Sequence, residues 1–208
     1  LKDVQNAIIE TISTGWGGAE KREGKIYPAE PGHIYAGEEG KNKICGCGRI
    51  ACQEALYSGS AVQKEILELF PEKTENGKIQ GLNPCVFLDQ EAKKGKPWAL
   101  EIYARVGKGI GEAWAAALNR SSAIEIIVYT GRFAIFGMPL MIETIRKTML
   151  KRVMFEHHRT MLKEEITSGK EKLIVRSELW PKGALIGAAL VFEKLETELS
   201  TLAKASQH

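Results

Sequence analysis

The sequence predicts an α/β domain with a metal-binding loop, and three observations predict it. Runs rich in β-branched residues at 7–13, 123–129 and 173–176 have the composition of strands. Between them lie stretches whose apolar residues recur at helical spacing. Between the first two strands, three of the four cysteines crowd into positions 45–52 with a histidine ahead of them. Packing alone gives no reason for such crowding.

The chain opens with Ala7 to Ser13 as a strand, which runs into Thr14-Gly-Trp-Gly-Gly18. A glycine-rich turn after a strand lets backbone N–H groups approach an anion closely; a plain hairpin turn reads equally well. Glu20 to Tyr27 reads as a second hairpin turning at Glu23-Gly24. After Cys52 the pattern is helical to Phe70, broken at Gly59. Ser60 is expected to cap the second piece, which sets Ala61, Val62, Ile66, Leu67 and Phe70 on one face. Pro71 ends it, and the polar segment from Pro71 to Cys85 reads as an exposed loop.

Pro97 opens a long helix to Asn119. Gly107 and Gly111 share one of its faces with Trp114 and Leu118. Helical glycine costs roughly 1 kcal/mol relative to alanine, so the pair predicts a close packing contact. Ala123 to Tyr129 forms the next strand and ends at Thr130-Gly-Arg132. An amphipathic helix is expected from Pro139 to Phe155, continuing through Met161. His157 and His158 lie in a lysine- and arginine-rich neighbourhood and read as solvated surface. Leu173 to Arg176 closes the set of strands, and a passage of small residues, Gly183 to Ala189, follows.

The segment from Glu30 to Glu54 organises the rest. Thiolates and one neutral imidazole delivered from tight turns are what a tetrahedral zinc ion requires, at about 2.0–2.3 Å. The ligands expected are His33, Cys45, Cys47 and Cys52, with Gly46 and Gly48 suiting the turn. Free thiols and a disulfide are the competing readings. Cys45 and Cys47 would close a strained ring, whereas Cys52 paired with either, or with Cys85, is geometrically allowed. Cys85, after a proline, is read as a bystander in a loop.

A formal net charge of +3 in 208 residues argues for neither nucleic acid nor membrane. Apolar content of 44% and charged content of 26% are ordinary for a globular protein. The most apolar stretch, 123–142, carries Glu125 and Arg132 and does not make a membrane span. The opening residues show neither a signal-peptide pattern nor a starting methionine, so a chain beginning inside a longer product is expected. A basic, signal-free chain with four cysteines reads as cytoplasmic, where a cysteine cluster is metal-binding or catalytic.

The run Glu30-Pro-Gly-His33, Cys45-Gly-Cys-Gly and Cys52-Gln-Glu54 resembles the signature of the ROK family of repressors, open reading frames and kinases. Its best-known members are ATP-dependent sugar kinases such as bacterial glucokinases, fructokinases and N-acetylhexosamine kinases. The resemblance extends from Ser13 to Ala189 and implies that residues 1–208 are the C-terminal lobe of an actin-like (ribonuclease H-like) sugar kinase. It implies that Glu30, His33 and Glu54 hydrogen-bond the sugar, His33 serving zinc as well. Pro31 stands where an aliphatic residue is usual. Thr14, Gly15 and Gly17 would meet the ATP phosphates, with Trp16 inside the loop. Thr130 and Gly131 would lie on the adenosine side, Gly131 being all that is left of the usual glycine run.

A structural Zn2+, and Mg2+ with ATP, are the cofactors this implies. The resemblance implies that the family's Asp-x-Gly-Gly-Thr loop and catalytic aspartate belong to an N-terminal lobe outside residues 1–208, where Asp3 and Asp89 are the only aspartates. The expected function is ATP-dependent phosphorylation of a hexose-type sugar, with this chain inactive by itself. The alternatives are the sugar-sensing lobe of a ROK-type repressor and a non-catalytic sugar-binding paralogue. Sugar, ATP and a second copy of the chain are the partners implied, with neither membrane nor nucleic acid expected.

Overall fold

The computed structural model describes residues 3–178. Strand β1 (Ala7–Ile12) buries Ile8, Glu10 and Ile12 on one side. It turns through Ser13–Gly15 into β2 (Trp16–Arg22), with Thr11 opposite Gly17 and Ile12 opposite Trp16. β2 turns again into β3 (Lys25–Ala29). Glu23 and Gly24, at φ 49° and 79°, make the expected turn of positive dihedrals that suits the twist of paired strands.

Next come the cysteine loop and two short helices, α1 (Gln53–Tyr57) and α2 (Gly59–Leu69). The cap of α2 is Ser58, whose hydroxyl accepts from the Ala61 N–H at 3.3 Å, and not Ser60. The chain breaks one residue earlier than expected because Gly59 must pack on the backbone of Ser13, which its N–H also bonds at 2.7 Å. Residues 71–85 are more ordered than a loop. A single 3-10 turn after Pro71 leads to a small hairpin of β4 (Thr74–Glu75) and β5 (Lys78–Ile79). Helix α3 (Pro84–Lys93) then starts at Asn83, whose side chain accepts from the Cys85 N–H at 3.0 Å.

The long helix α4 (Pro97–Arg120) buries Ile102, Val106, Ile110, Trp114 and Leu118, and Trp114 reaches the sheet at Glu10 and Tyr129. Strand β6 (Ile126–Thr130) pairs parallel with β1. Helix α5 (Arg132–Arg152) begins directly after Gly131, so Pro139 lies inside it and not at its start. The lost hydrogen bond is offset by burial of Ile135, Met138, Met141 and Ile145. Gly107 and Gly111 meet α5 as expected: a Cβ at Gly111 would lie 2.9 Å from the Ile145 carbonyl oxygen.

After a break at Val153–Phe155, helix α6 (Glu156–Ser168) leads to β7 (Ile174–Arg176), parallel to β6. The mixed sheet therefore runs β3-β2-β1-β6-β7. His158 is not surface: it is buried, with Nε2 2.6 Å from the Ile124 carbonyl, while His157 beside it is exposed. Glu165, fully buried, pairs with Arg146 at 2.9 Å and accepts from the N–H groups of Lys172, Leu173 and Ile174, which fixes the entry of β7. No helix among the described residues is long and apolar enough to cross a membrane. The small-residue passage Gly183 to Ala189 lies outside the described residues.

Candidate functional site

Two backbone pairings bring the cysteine loop together. Ile34 to Ala36 and Ala51 to Gln53 run antiparallel, with Ala36 N–H on Ala51 at 2.7 Å and Gln53 N–H on Ile34 at 3.0 Å. This sets His33 beside Cys52. Further out, Cys45 N–H donates to Arg49 at 2.8 Å and Gly48 N–H to Cys45 at 2.9 Å, closing a turn that carries Cys45 and Cys47. Gly48 has φ +85°, which glycine adopts without strain. Gly46 meets no such demand.

One ligand atom from each of His33, Cys45, Cys47 and Cys52 lies within 4.8 Å of every other. Zinc bonds of about 2.3 Å to sulfur and about 2.0–2.1 Å to nitrogen in a tetrahedron set S···S at about 3.8 Å and S···N at about 3.6 Å. The Cys47 and Cys52 sulfurs are 3.7 Å apart, and His33 Nδ1 is 3.6 Å from Cys45 Sγ. The donor set and its spacing fit a zinc ion. Without a cation, burial and the neighbouring thiols push the Cys52 thiol up to about 12. Burial also raises Cys45, while a backbone hydrogen bond from Arg49 lowers the exposed Cys47. A bound cation reverses that logic, because it favours the thiolates.

The three expected sugar-contacting residues gather around this cluster. His33 directs Nδ1 at Cys45, and its Nε2 lies 4.0 Å from Glu30 Oε2. Glu54, half-buried in α1, accepts from the Trp16 N–H at 2.8 Å through Oε2, and Cys45 Sγ stands 3.5 Å from its Oε1. Gly15 leaves room for that carboxylate, since a Cβ there would lie 2.7 Å from Oε2. Glu54 thereby ties the glycine-rich turn to the cysteine loop.

Sequence reasoning missed Glu10. It is buried, and one oxygen, Oε2, accepts from the indoles of Trp16 at 2.7 Å and Trp114 at 2.8 Å. Burial pushes its pKa up to about 7 against the pull of both indoles. The available signal was parity, because Glu10 shares its side of β1 with Ile8 and Ile12.

A cleft of about 460 Å3 opens beside the glycine-rich turn, and its walls include Thr14, Cys85, Asp89, Lys93, Arg132 and Phe136. Cys85 is therefore not in a loop. It sits in the first turn of α3, where burial pushes its thiol up to about 12. Asp89, raised by burial, accepts from the Tyr103 hydroxyl. Thr130 and Gly131 do not line this cleft. Gly131, at φ +94°, precedes α5 so closely against β1 that a Cβ would lie 2.5 Å from the Ile12 carbonyl oxygen.

Residues 1–194 match the family model described as the ROK family. The fold is similar to a ROK family glucokinase from Streptomyces griseus solved with glucose and AMPPNP, with a TM-score of 0.67 and 22% identity. That similarity covers 91% of this chain and 61% of the glucokinase. The sequence is 24% identical over 135 residues to the DNA-binding transcriptional dual regulator NagC of Escherichia coli, covering 61% of this chain and 32% of the regulator. It is 36% identical over 77 residues to N-acetylmannosamine kinase of Vibrio cholerae, covering 34% of this chain and 26% of the kinase. The chain thus spans less than a third of these curated relatives.

Proposed function

The chain belongs to the ROK family, and from that premise we propose that it is the sugar-binding and zinc-binding lobe of an ATP-dependent kinase for a hexose-type sugar. The observation that carries this reading is Glu54, placed between the Trp16 N–H of the glycine-rich turn and the Cys45 sulfur of the metal cluster. Phosphate and sugar functions need that adjacency, because an in-line transfer joins the two.

In this reading Glu30, His33 and Glu54 accept hydrogen bonds from sugar hydroxyls, and an analogue lacking one leaves a polar group unpaired. As a thiolate, Cys45 has no proton for Glu54, whose Oε1 is then free for a hydroxyl. His33, Cys45, Cys47 and Cys52 would supply four ligands to a zinc ion, which would stiffen the loop and leave no open position for water. ATP with Mg2+ would occupy the cleft beside Thr14, with Lys93 and Arg132 as cations on its walls. Thr14, Gly15 and Gly17 shape the phosphate side. Thr130 and Gly131 act on the adenosine side by setting where α5 begins.

The proton acceptor for the sugar hydroxyl is expected from elsewhere in the natural protein, because Asp89 is bonded to Tyr103 on the wall of the cleft assigned to ATP. The test is MgATP-dependent phosphorylation of glucose and N-acetylmannosamine by the natural full-length protein. Turnover is expected from that protein and not from the 208-residue chain alone. Failure of both to turn over, with zinc and sugar bound, would contradict the kinase reading.

One observation favours a second reading: the match to NagC covers 61% of the chain, against 34% for the kinase. A sugar-sensing repressor lobe would show no turnover, and sugar would release the natural protein from operator DNA. A non-catalytic sugar-binding paralogue would show neither. A homodimer through this lobe belongs to the same proposal and is checked by light scattering.

A further inference from the structure

Glu10 is an odd choice for the middle of a buried strand. An uncharged filler would avoid the cost of burying a carboxylate. What Glu10 does is take the single N–H that each of two indoles can donate. Trp16 and Trp114 are buried, and both end on Oε2, at 2.7 and 2.8 Å. One oxygen therefore anchors the polar edge of both rings.

The two tryptophans differ in what leans on them. The backbone N–H of Trp16, not its indole, holds the Glu54 carboxylate at 2.8 Å. Gly32, in the turn between Glu30 and His33, packs onto Trp16 so tightly that a Cβ there would run into the Trp16 carbonyl and lie 2.8 Å from its Cβ. Trp16 also ends the Thr14–Gly15 turn. Trp114, on α4, touches none of these groups through its hydrogen bond. We propose that Trp16, locked by Glu10, is the positioning residue that holds Glu54, the Glu30–His33 turn and the glycine-rich turn in one geometry for the sugar. The proposal rests on the assignment of Glu30, His33 and Glu54 to sugar binding.

Trp114 supplies the internal control. Trp16→Phe and Trp114→Phe each strip one equally buried donor from the same oxygen, so a merely structural role predicts similar losses of stability and of affinity. The proposal predicts that Trp16→Phe weakens binding of glucose or N-acetylmannosamine by about ten-fold, the scale of one misplaced hydrogen bond, and that Trp114→Phe leaves affinity within about two-fold. Glu10→Gln, which keeps an acceptor oxygen, is expected to retain affinity, and Glu10→Leu to lose it as Trp16→Phe does. Titration calorimetry on the natural protein reads these differences directly.

Equal shifts in the two Phe variants, or none in Trp16→Phe, would overturn the proposal while leaving the sugar assignment standing. Absence of sugar binding by the wild type would remove that assignment and the proposal with it. Should Trp16→Phe fail to fold, the wild type answers alone through its 15N-labelled indoles. Sugar is then expected to shift the Trp16 resonance and not that of Trp114; equal shifts or none would contradict the proposal.

Discussion

Glu10 sets how stability changes with pH. Its pKa is about 7 in the folded protein against an ordinary 4.5, so between those values the folded chain holds a proton that the unfolded chain releases. Its contribution to stability therefore falls as pH rises from 4.5 to 7 and is flat above, a loss of up to roughly 3 kcal/mol. Glu10→Gln is expected to abolish that decline, as urea midpoints between pH 5 and 8 would show. His158 acts in the opposite sense. Burial lowers its pKa, and its unfolded form takes a proton below about 6.5, so its contribution is lost as pH falls. In the Gln variant the slope across this window is expected to turn upward. At the candidate site, Glu54→Gln should cut kcat/KM in the natural protein by about a hundred-fold, because an amide donor then faces the Trp16 N–H or the sugar. Unchanged kinetics would remove Glu54 from the site. The convergence of His33, Cys45, Cys47 and Cys52 was legible because three cysteines at short spacing, with a histidine ahead of them, share one donor chemistry. Glu10 and His158 were not, since a lone polar residue in an apolar strand or a basic helix reads as surface until its neighbours are known.

Among elements, β-branched composition gave away β1, β6 and β7 and the helical period gave away α4, but neither showed where tertiary contacts would override local signals. Pro139 reads as a helix start, yet α5 begins at Arg132 because Gly131 alone fits against β1 and the following apolar residues pack beneath α4. The polar stretch after Pro71 hides a hairpin and α3, whose caps are single residues. Glycines show the same division. Gly111→Ala is expected to destabilise by about 1–3 kcal/mol, since the new methyl group would force α4 and α5 apart. In the cysteine loop, Gly48→Ala should cost about 1 kcal/mol for its positive φ, whereas Gly46→Ala meets open space and should be near neutral. Thermal unfolding of the three variants checks the order; equal effects in the loop would contradict the turn geometry.

For the whole molecule, a mixed sheet with β1 at its centre delivers the glycine-rich turn from one end of β1, and the hairpin beyond it delivers the cysteine loop to the same place. The resemblance in the sequence led to that architecture; the cleft walled by α3 and α5 was invisible, because its residues come from segments without a shared motif. Stripping the metal should destabilise the fold: at zinc a hundred-fold above its Kd the loss is about 3 kcal/mol, or about 5–10 °C in Tm. Calorimetric scans with and without chelator would read it. If one metal-held loop presents the sugar-binding groups, sugar affinity depends on the metal. Titration of glucose and N-acetylmannosamine into zinc-loaded and zinc-stripped natural protein measures that dependence. Sugar binding is expected in the loaded protein, and its loss, restored by added zinc, in the stripped one. Equal affinity in both, or none in either, would contradict it.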